Sequence, residues 1–413
     1  KRQKMLVDKS YLIKSCDDVE LGIKRKSKLE YRISYDDEKD LEAIIFIIGG
    51  FGSSANLSFM DFTRQNLAKN FPILAVNVLY HCFSNRFNEE DSKYSAKLAY
   101  SEADMLNLKK NLMKTKIPYQ SHLEPYHYHN LLNQWIKHHK EQGQIPQDMK
   151  MQGLSYTIVP ANDEYQNYGI MPALDHIFVL KDLYKKFAHI TGGGGVASLP
   201  IIYGGNSYGG YLAHLIAKIA PWHCQAILDN SCSPLPQLEY IVGRELGQGD
   251  ATTLDRDLNI KLYSKTFWTC DANSKYCFTS EHYKIRSLLN AEHLKIQAKY
   301  AKDTLFISYH SAYDEFGTAK DKEKLYELYR ALGFKAKLHL IKDEKELDKK
   351  FIRSLKHSLG MSDSGLFRKE LPFILEKFKG KNFTQKQGQI SYPCGDKIFT
   401  FKDEGEKFLL EIS

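Results

Sequence analysis

Residues 200–213, Pro-Ile-Ile-Tyr-Gly-Gly-Asn-Ser-Tyr-Gly-Gly-Tyr-Leu-Ala, constrain this chain more than any other segment. A short apolar run meets a serine set among glycines, then continues with helical spacing. Gly205, Asn206, Ser207, Tyr208 and Gly209 form G-x-S-x-G. Read as strand, sharp turn and helix, the segment lifts the Ser207 hydroxyl above the end of a sheet. Glycines two positions either side permit such a turn without Cβ clashes. The new helix also points backbone N–H groups at developing negative charge. A serine held structurally in a glycine-rich turn is the plainer alternative, but it does not require all three parts together.

The remaining apolar runs repeat the order strand, loop, helix. Residues 43–48 and 73–79 are continuous and β-branched, as in strands buried on both faces. Residues 200–203, 225–228, 304–309 and 336–341 add four short strands. Residues 11–15 and 29–35 alternate, predicting edge strands that meet near the charged turn Asp36-Asp37-Glu38. Leu174, Ile177, Leu180, Leu183 and Phe187 predict a helix over 173–188, and 208–220 and 320–332 carry similar patterns. Strands alternating with helices predict an α/β protein with a mostly parallel central sheet flanked by helices.

At 413 residues the chain is long for that sheet alone. The core is expected over 1–83, over 161–234 with the serine turn, and over 301–378. Residues 84–160 and 235–300 break the rhythm and follow strand carboxyl ends, where such sheets place their sites, so both are expected to be lid or cap insertions. Residues 379–413 carry short strand patterns at 389–392, 397–402 and 407–412 and predict a small β appendage.

A serine hydroxyl needs a histidine to take its proton and a carboxylate to hold that histidine's tautomer. His357, after strand 336–341 and before an amphipathic terminal helix, is the expected base. His310 ends a strand, His339 lies within one, and His282 and His293 fall in the second insertion. Asp314, after strand 304–309, is the expected acid; Asp229, ending strand 225–228, is its competitor, and Glu315 reads as a charge near a helix start. Strand 43–48 ends in Gly49-Gly50-Phe51-Gly52, a loop suited to donating a backbone N–H to an oxyanion. Phe51 (or Gly50) and Tyr208 are the expected donors. A phosphate loop is disfavoured, because the stretch lacks G-x-G-x-x-G and a Walker lysine.

Together these residues resemble the α/β-hydrolase superfamily, particularly its esterase and prolyl-oligopeptidase-like branches, over residues 30–378. The resemblance implies the α/β-hydrolase fold and a serine hydrolase. It departs from the lipase pattern in having no histidine before the oxyanion glycines. The chain also resembles a family of such proteins from Campylobacter and relatives, whose members lie near flagellin-glycosylation genes, some switched by poly-G tracts. Four consecutive glycines at 192–195 fit such a tract. Three functions follow as expectations: cleavage of a carboxylic ester through an acyl-enzyme on Ser207, acyl transfer to a sugar hydroxyl, or an inactive scaffold with an accessory role. The partner is a small-molecule or glycan ester. Tyr119, Tyr126, Tyr128 and Trp135 crowd the first insertion, where packing is the expected role and stacking on a sugar the alternative.

Composition excludes several classes. The net charge of +8 is dispersed, and acidic residues interrupt the lysine-rich stretch 342–381, so nucleic-acid binding is not expected. Seven scattered cysteines match no zinc spacing; reduced thiols are expected, with a disulfide between Cys270 and Cys277 as the alternative. No metal or organic cofactor is implied. The polar start and the lack of a long apolar run predict no membrane span and a cytoplasmic protein. Nothing in the pattern specifies an oligomeric state.

Overall fold

The computed structural model describes residues 6–188, 195–383 and 387–413. Gly192, Gly193 and Gly194 of the glycine run lie outside the described residues. The chain forms two compact units, one comprising Lys1–Phe83, Asn167–Pro236 and Phe278–Ser413, the other Ser84–Gln166 and Gln237–Cys277. In chain order the first segment carries β1 (Leu6–Ile13), β2 (Leu29–Asp36), β3 (Ala43–Ile47), α1 (Leu57–Asn70) and β4 (Ile73–Leu79). The second unit then begins with β5 (Lys97–Ala99), α2 (Glu102–Thr115), α3 (Pro125–Glu141) and β6 (Met151–Val159). The chain returns through α4 (Ile170–Lys186), β7 (Ile201–Asn206), α5 (Tyr208–Ile219) and β8 (Ala226–Asn230). After α6 (Gly243–Leu246), β9 (Ala251–Asp255) and β10 (Leu258–Ser264) complete the second unit, α7 (Ser280–Arg286) and α8 (Ala291–Ala301) follow. The last stretch holds β11 (Leu305–Ser311), α9 (Ala319–Ala331), β12 (Lys335–Ile341), α10 (Asp363–Phe378), β13 (Gln389–Cys394), β14 (Lys397–Glu404) and β15 (Lys407–Ile412).

An eight-stranded sheet in the order β1-β2-β4-β3-β7-β8-β11-β12 organises the first unit. The pairs from β4 to β12 are all parallel, whereas β1 and β2 add antiparallel pairs at one edge. β3 and β4 are buried along their whole length, which is why they read as unbroken apolar runs. One face packs Ile45 and Ile47 under Leu67 of α1 and Leu366, Phe367 and Leu371 of α10. The other turns Phe46 toward Tyr203, stacked at 4.7 Å, and toward His176 of α4. Every residue of α5 is buried, so that helix carries no polar face.

The edge differs from expectation. β1 spans Leu6–Ile13 and pairs along its full length with β2, Leu6 opposite Asp36 and Ile13 opposite Leu29. The connection between them is therefore residues 14–28, while the Asp36-Asp37-Glu38 turn leads on to β3. A polar edge strand takes its length from its backbone partner, which an apolar pattern cannot register. α1, α7 and α8 add helices that the apolar pattern does not predict.

The second unit is built on a four-stranded sheet, β5-β6-β10-β9, which packs under α2 and α3. Leu108, Leu112, Tyr128, Leu132, Ile136, Leu154 and Ile260 form its core. Tyr119 stacks on Tyr128 and Trp135 on His139, so these rings serve packing, while Tyr126 stays exposed. This unit is smaller than the expected insertions. Residues 278–300 belong to the first unit, so His282 and His293 lie in the core unit and not in a cap. His293 Nε2 bonds the Pro393 carbonyl at 2.9 Å, joining α8 to the C-terminal strands.

β13, β14 and β15 form a separate antiparallel sheet. It is bound into the first unit by Asp403, which accepts from Trp222 Nε1 and Lys181 Nζ, each at 2.5 Å. All seven cysteines are free, Cys270 and Cys277 included. Among the described residues no helix is long and apolar enough to cross a membrane.

Candidate active site

Ser207 sits between β7 and α5 with φ 53° and ψ −121°, a conformation that L-residues seldom adopt. Three glycines make the turn possible. A Cβ on Gly205 or Gly209 would lie 2.2 Å or 2.1 Å from the Ile48 carbonyl oxygen, and one on Gly210 2.7 Å from Asp229 Oδ1. The motif therefore records how closely the turn is pressed against β3 and β8. Ser207 and Asn206 are half-buried, unlike the fully buried residues on either side.

The loop after β3 lies against this turn. A Cβ on Gly50 would come within 3.0 Å of the Asn206 carbonyl oxygen and 3.9 Å of Ser207 Cβ. Phe51 meets Tyr208 edge to face at 5.9 Å, and Tyr80 and Tyr168 close the cluster around the Tyr208 ring. Gly50, Phe51 and Tyr208 are thus gathered beside Ser207.

His357 lies after β12, and its Nδ1 is 2.9 Å from both oxygens of Asp314, which follows β11. The Asp314 side chain is buried, and its Oδ1 also accepts from the N–H groups of Phe316 and Gly317. Burial opposes ionisation of Asp314, but the bond and charge of His357 and the Phe316 N–H outweigh it, holding its carboxyl below the ordinary value. Phe316 packs edge-on to the His357 ring at 4.8 Å.

The competing residues have other partners. Asp229 is buried in an ion pair with Lys322 and also receives His214 Nε2 at 3.2 Å and Ser308 Oγ at 2.6 Å. His214, Asp229 and Cys232 bring their ligand atoms within 4.8 Å of one another, but Lys322 Nζ already holds the same carboxylate and the Cys232 sulfur, and its charge opposes a cation. His310 is buried with Nε2 on the Gly317 carbonyl, and burial and Lys322 push its pKa down to about 4. His339 stacks on Tyr309 at 4.5 Å. Glu315 is exposed.

Three residues at the site carried no sequence signal beyond their position near a strand or helix end: Asn230, Ser231 and Asp363. The Asn206 N–H donates to Asp363 Oδ1 at 2.9 Å, tying the turn to the start of α10. Burial pushes the Asp363 carboxyl up to about 6, and the Asn206 bond offsets only part of that. A folded-state pKa above the unfolded value of 3.8 contributes stability below that value, which is lost as pH rises through about 6. Asp363→Asn is therefore expected to raise the melting temperature at pH 8 and leave it nearly unchanged at pH 4. Equal shifts at both pH values would rule the carboxyl out as the cause.

The strand order, the serine turn between β7 and α5 and the loops after β11 and β12 define the α/β-hydrolase fold. The chain belongs to the family described as "Protein of unknown function (DUF2920)", which matches residues 9–412. No curated protein matches it. Among solved structures it is similar to the Pyrococcus horikoshii acylaminoacyl peptidase, at 13% identity and TM-score 0.39 over 94% of this chain and 43% of that one. A ferulic acid esterase gives 11% identity and TM-score 0.43, with 91% of this chain and all of that one covered. An S-formylglutathione hydrolase from Agrobacterium tumefaciens gives 12% and 0.42 over 90% and 96%. The chain spans less than half the length of the first structures it resembles.

Proposed function

We propose that the protein is a serine hydrolase that cleaves a carboxylic ester through an acyl-enzyme on Ser207. The observation that carries this reading is the buried Asp314 holding His357 by Nδ1, on loops of the same sheet that presents Ser207 in its strained turn. With Nδ1 engaged, Nε2 of His357 is the nitrogen left to take the Ser207 proton. Ser207 Oγ attacks the ester carbonyl, and the oxyanion accepts from the Tyr208 N–H and that of Phe51 or Gly50. His357 returns the proton to the departing alcohol, and water then releases the acid by the reverse route.

Acyl transfer to a sugar hydroxyl from the same acyl-enzyme is a second reading, which accords with the resemblance to the Campylobacter family. The second unit has a cavity of about 330 Å³ lined by Tyr240, Tyr263, Trp268, Arg244 and Asp250, a mixture of rings and charged groups suited to a hydroxyl-rich ligand. Free thiols support a reducing compartment such as the cytoplasm.

A fluorophosphonate probe followed by peptide mapping tests the central reading. Label on Ser207 is expected. An intact protein that takes no label would favour an inactive scaffold. Product analysis of acyl esters, with and without glycans, then separates hydrolysis from transfer.

A further inference from the structure

Asn230 and Ser231, at the end of β8, connect the serine turn to the histidine loop. The Asn230 carbonyl accepts from the N–H of Ser207 at 2.7 Å. Its side-chain Nδ2 donates to the carbonyl of Ser358, the residue after His357, at 2.8 Å. Ser231 Oγ accepts from the Ser358 N–H at 3.0 Å and donates to Asn230 Oδ1 at 3.2 Å. Both polar groups of the Ser358 peptide are therefore held by two neighbouring side chains, on the residue pair whose backbone also fixes the nucleophile. The brace is anchored in turn, since the Ser231 N–H donates to the Tyr309 carbonyl in β11 at 2.8 Å.

The histidine loop needs such support. Ser358 and Leu359 have φ of 62° and 54°, two consecutive side-chain-bearing residues in the left-handed region. The loop's own bonds, from Arg353 and Ser354 N–H to the Leu359 carbonyl, from Leu359 N–H to the Lys356 carbonyl and from Met361 N–H to the Ser358 carbonyl, lie within residues 353–361 and do not themselves reach β8. Asn230 and Ser231 are buried, which limits the access of water to these bonds.

We propose that Asn230 and Ser231 are positioning residues that set His357 relative to Ser207, acting through the Ser358 peptide. The proposal rests on the serine-hydrolase reading, in which the proton passes between those two side chains. A proton transfer of this kind tolerates little displacement, and a misplacement of about 1 Å costs on the order of 100-fold in rate.

Ser231 itself has φ 63°, which makes a discriminating variant available. Ser231→Gly removes the hydroxyl while suiting the backbone, because glycine adopts this conformation readily. Asn230→Asp keeps the side-chain shape but replaces the donor to Ser358 with an acceptor. In both variants, kcat on a short acyl ester and the rate of Ser207 labelling by fluorophosphonate are expected to fall roughly 10- to 100-fold. KM should be unchanged, and the melting temperature of Ser231→Gly equal to or above wild type. Labelling of both variants at wild-type speed would overturn the proposal. So would a rate loss in Ser231→Gly that simply tracked a lower melting temperature. A wild-type protein that takes no label overturns the serine-hydrolase reading itself, a result distinct from wild-type-speed variants.

Discussion

Ser207→Ala is expected to lower ester turnover by about 10⁴- to 10⁶-fold and to abolish fluorophosphonate labelling, with KM little changed. Stability should stay within roughly 0.5 kcal/mol, because the half-buried hydroxyl leaves the turn's backbone bonds in place when removed. Those bonds run from the Ser207 N–H to Asn230 and from Tyr211 N–H to the Ser207 carbonyl, and alanine keeps both. On the proposed mechanism, the variant loses the group whose bond to the acyl carbon splits the reaction into two easier steps. Turnover retained at the parental rate would show that chemistry occurs elsewhere on the chain. A loss accompanied by unfolding would leave the turn as a structural element. Rates and urea denaturation of the same preparation separate these outcomes.

Asp314→Asn and Asp229→Asn should diverge sharply, although both replace a buried carboxylate. At Asp314 the loss is expected in rate, about 10⁴-fold, since asparagine cannot stabilise the charged imidazole and can favour the wrong tautomer. Its amide oxygen can still accept from the Phe316 and Gly317 N–H groups, so stability should change by only about 1 kcal/mol. Asp229→Asn should instead destabilise the fold by about 3–5 kcal/mol, because it leaves the buried Lys322 ammonium without its counter-charge. Burial disfavours the charged lysine, and Asp229 more than compensates, so the Lys322 pKa lies above its ordinary value. Denaturation midpoints and kcat for the two variants decide the matter. If Asp229→Asn remained stable but lost turnover as Asp314→Asn should, the acid would be assigned to the wrong strand.

The contrast also shows where sequence reading reaches its limit. Asp229 lies near the carboxyl end of β8 and Asp314 just after β11, both buried strands of the same sheet, and their local sequences do not separate them. The separation comes from α9, which brings Lys322 under Asp229, and from the loop before α10, which brings His357 to Asp314. Both partners are tens of residues away, 93 for Lys322 and 43 for His357. The second unit illustrates the same limit: β6, from the first insertion, pairs with β10 from the other. Neither strand has that partner within its own segment.

By itself the sequence determined the elements whose signals are local. Continuous β-branched runs specified the buried strands β3 and β4, because a strand covered on both faces has no polar side to interrupt it. The glycines around Ser207 specified the turn, because only a missing Cβ lets β7 and α5 lie so close to the Ile48 carbonyl. Tertiary structure alone decided which carboxylate meets His357, which buried charges neutralise each other, and how Asn230 and Ser231 join the serine turn to the histidine loop. Those outcomes depend on distances across the sheet between residues far apart in the chain, and such distances exist only once the strands have paired.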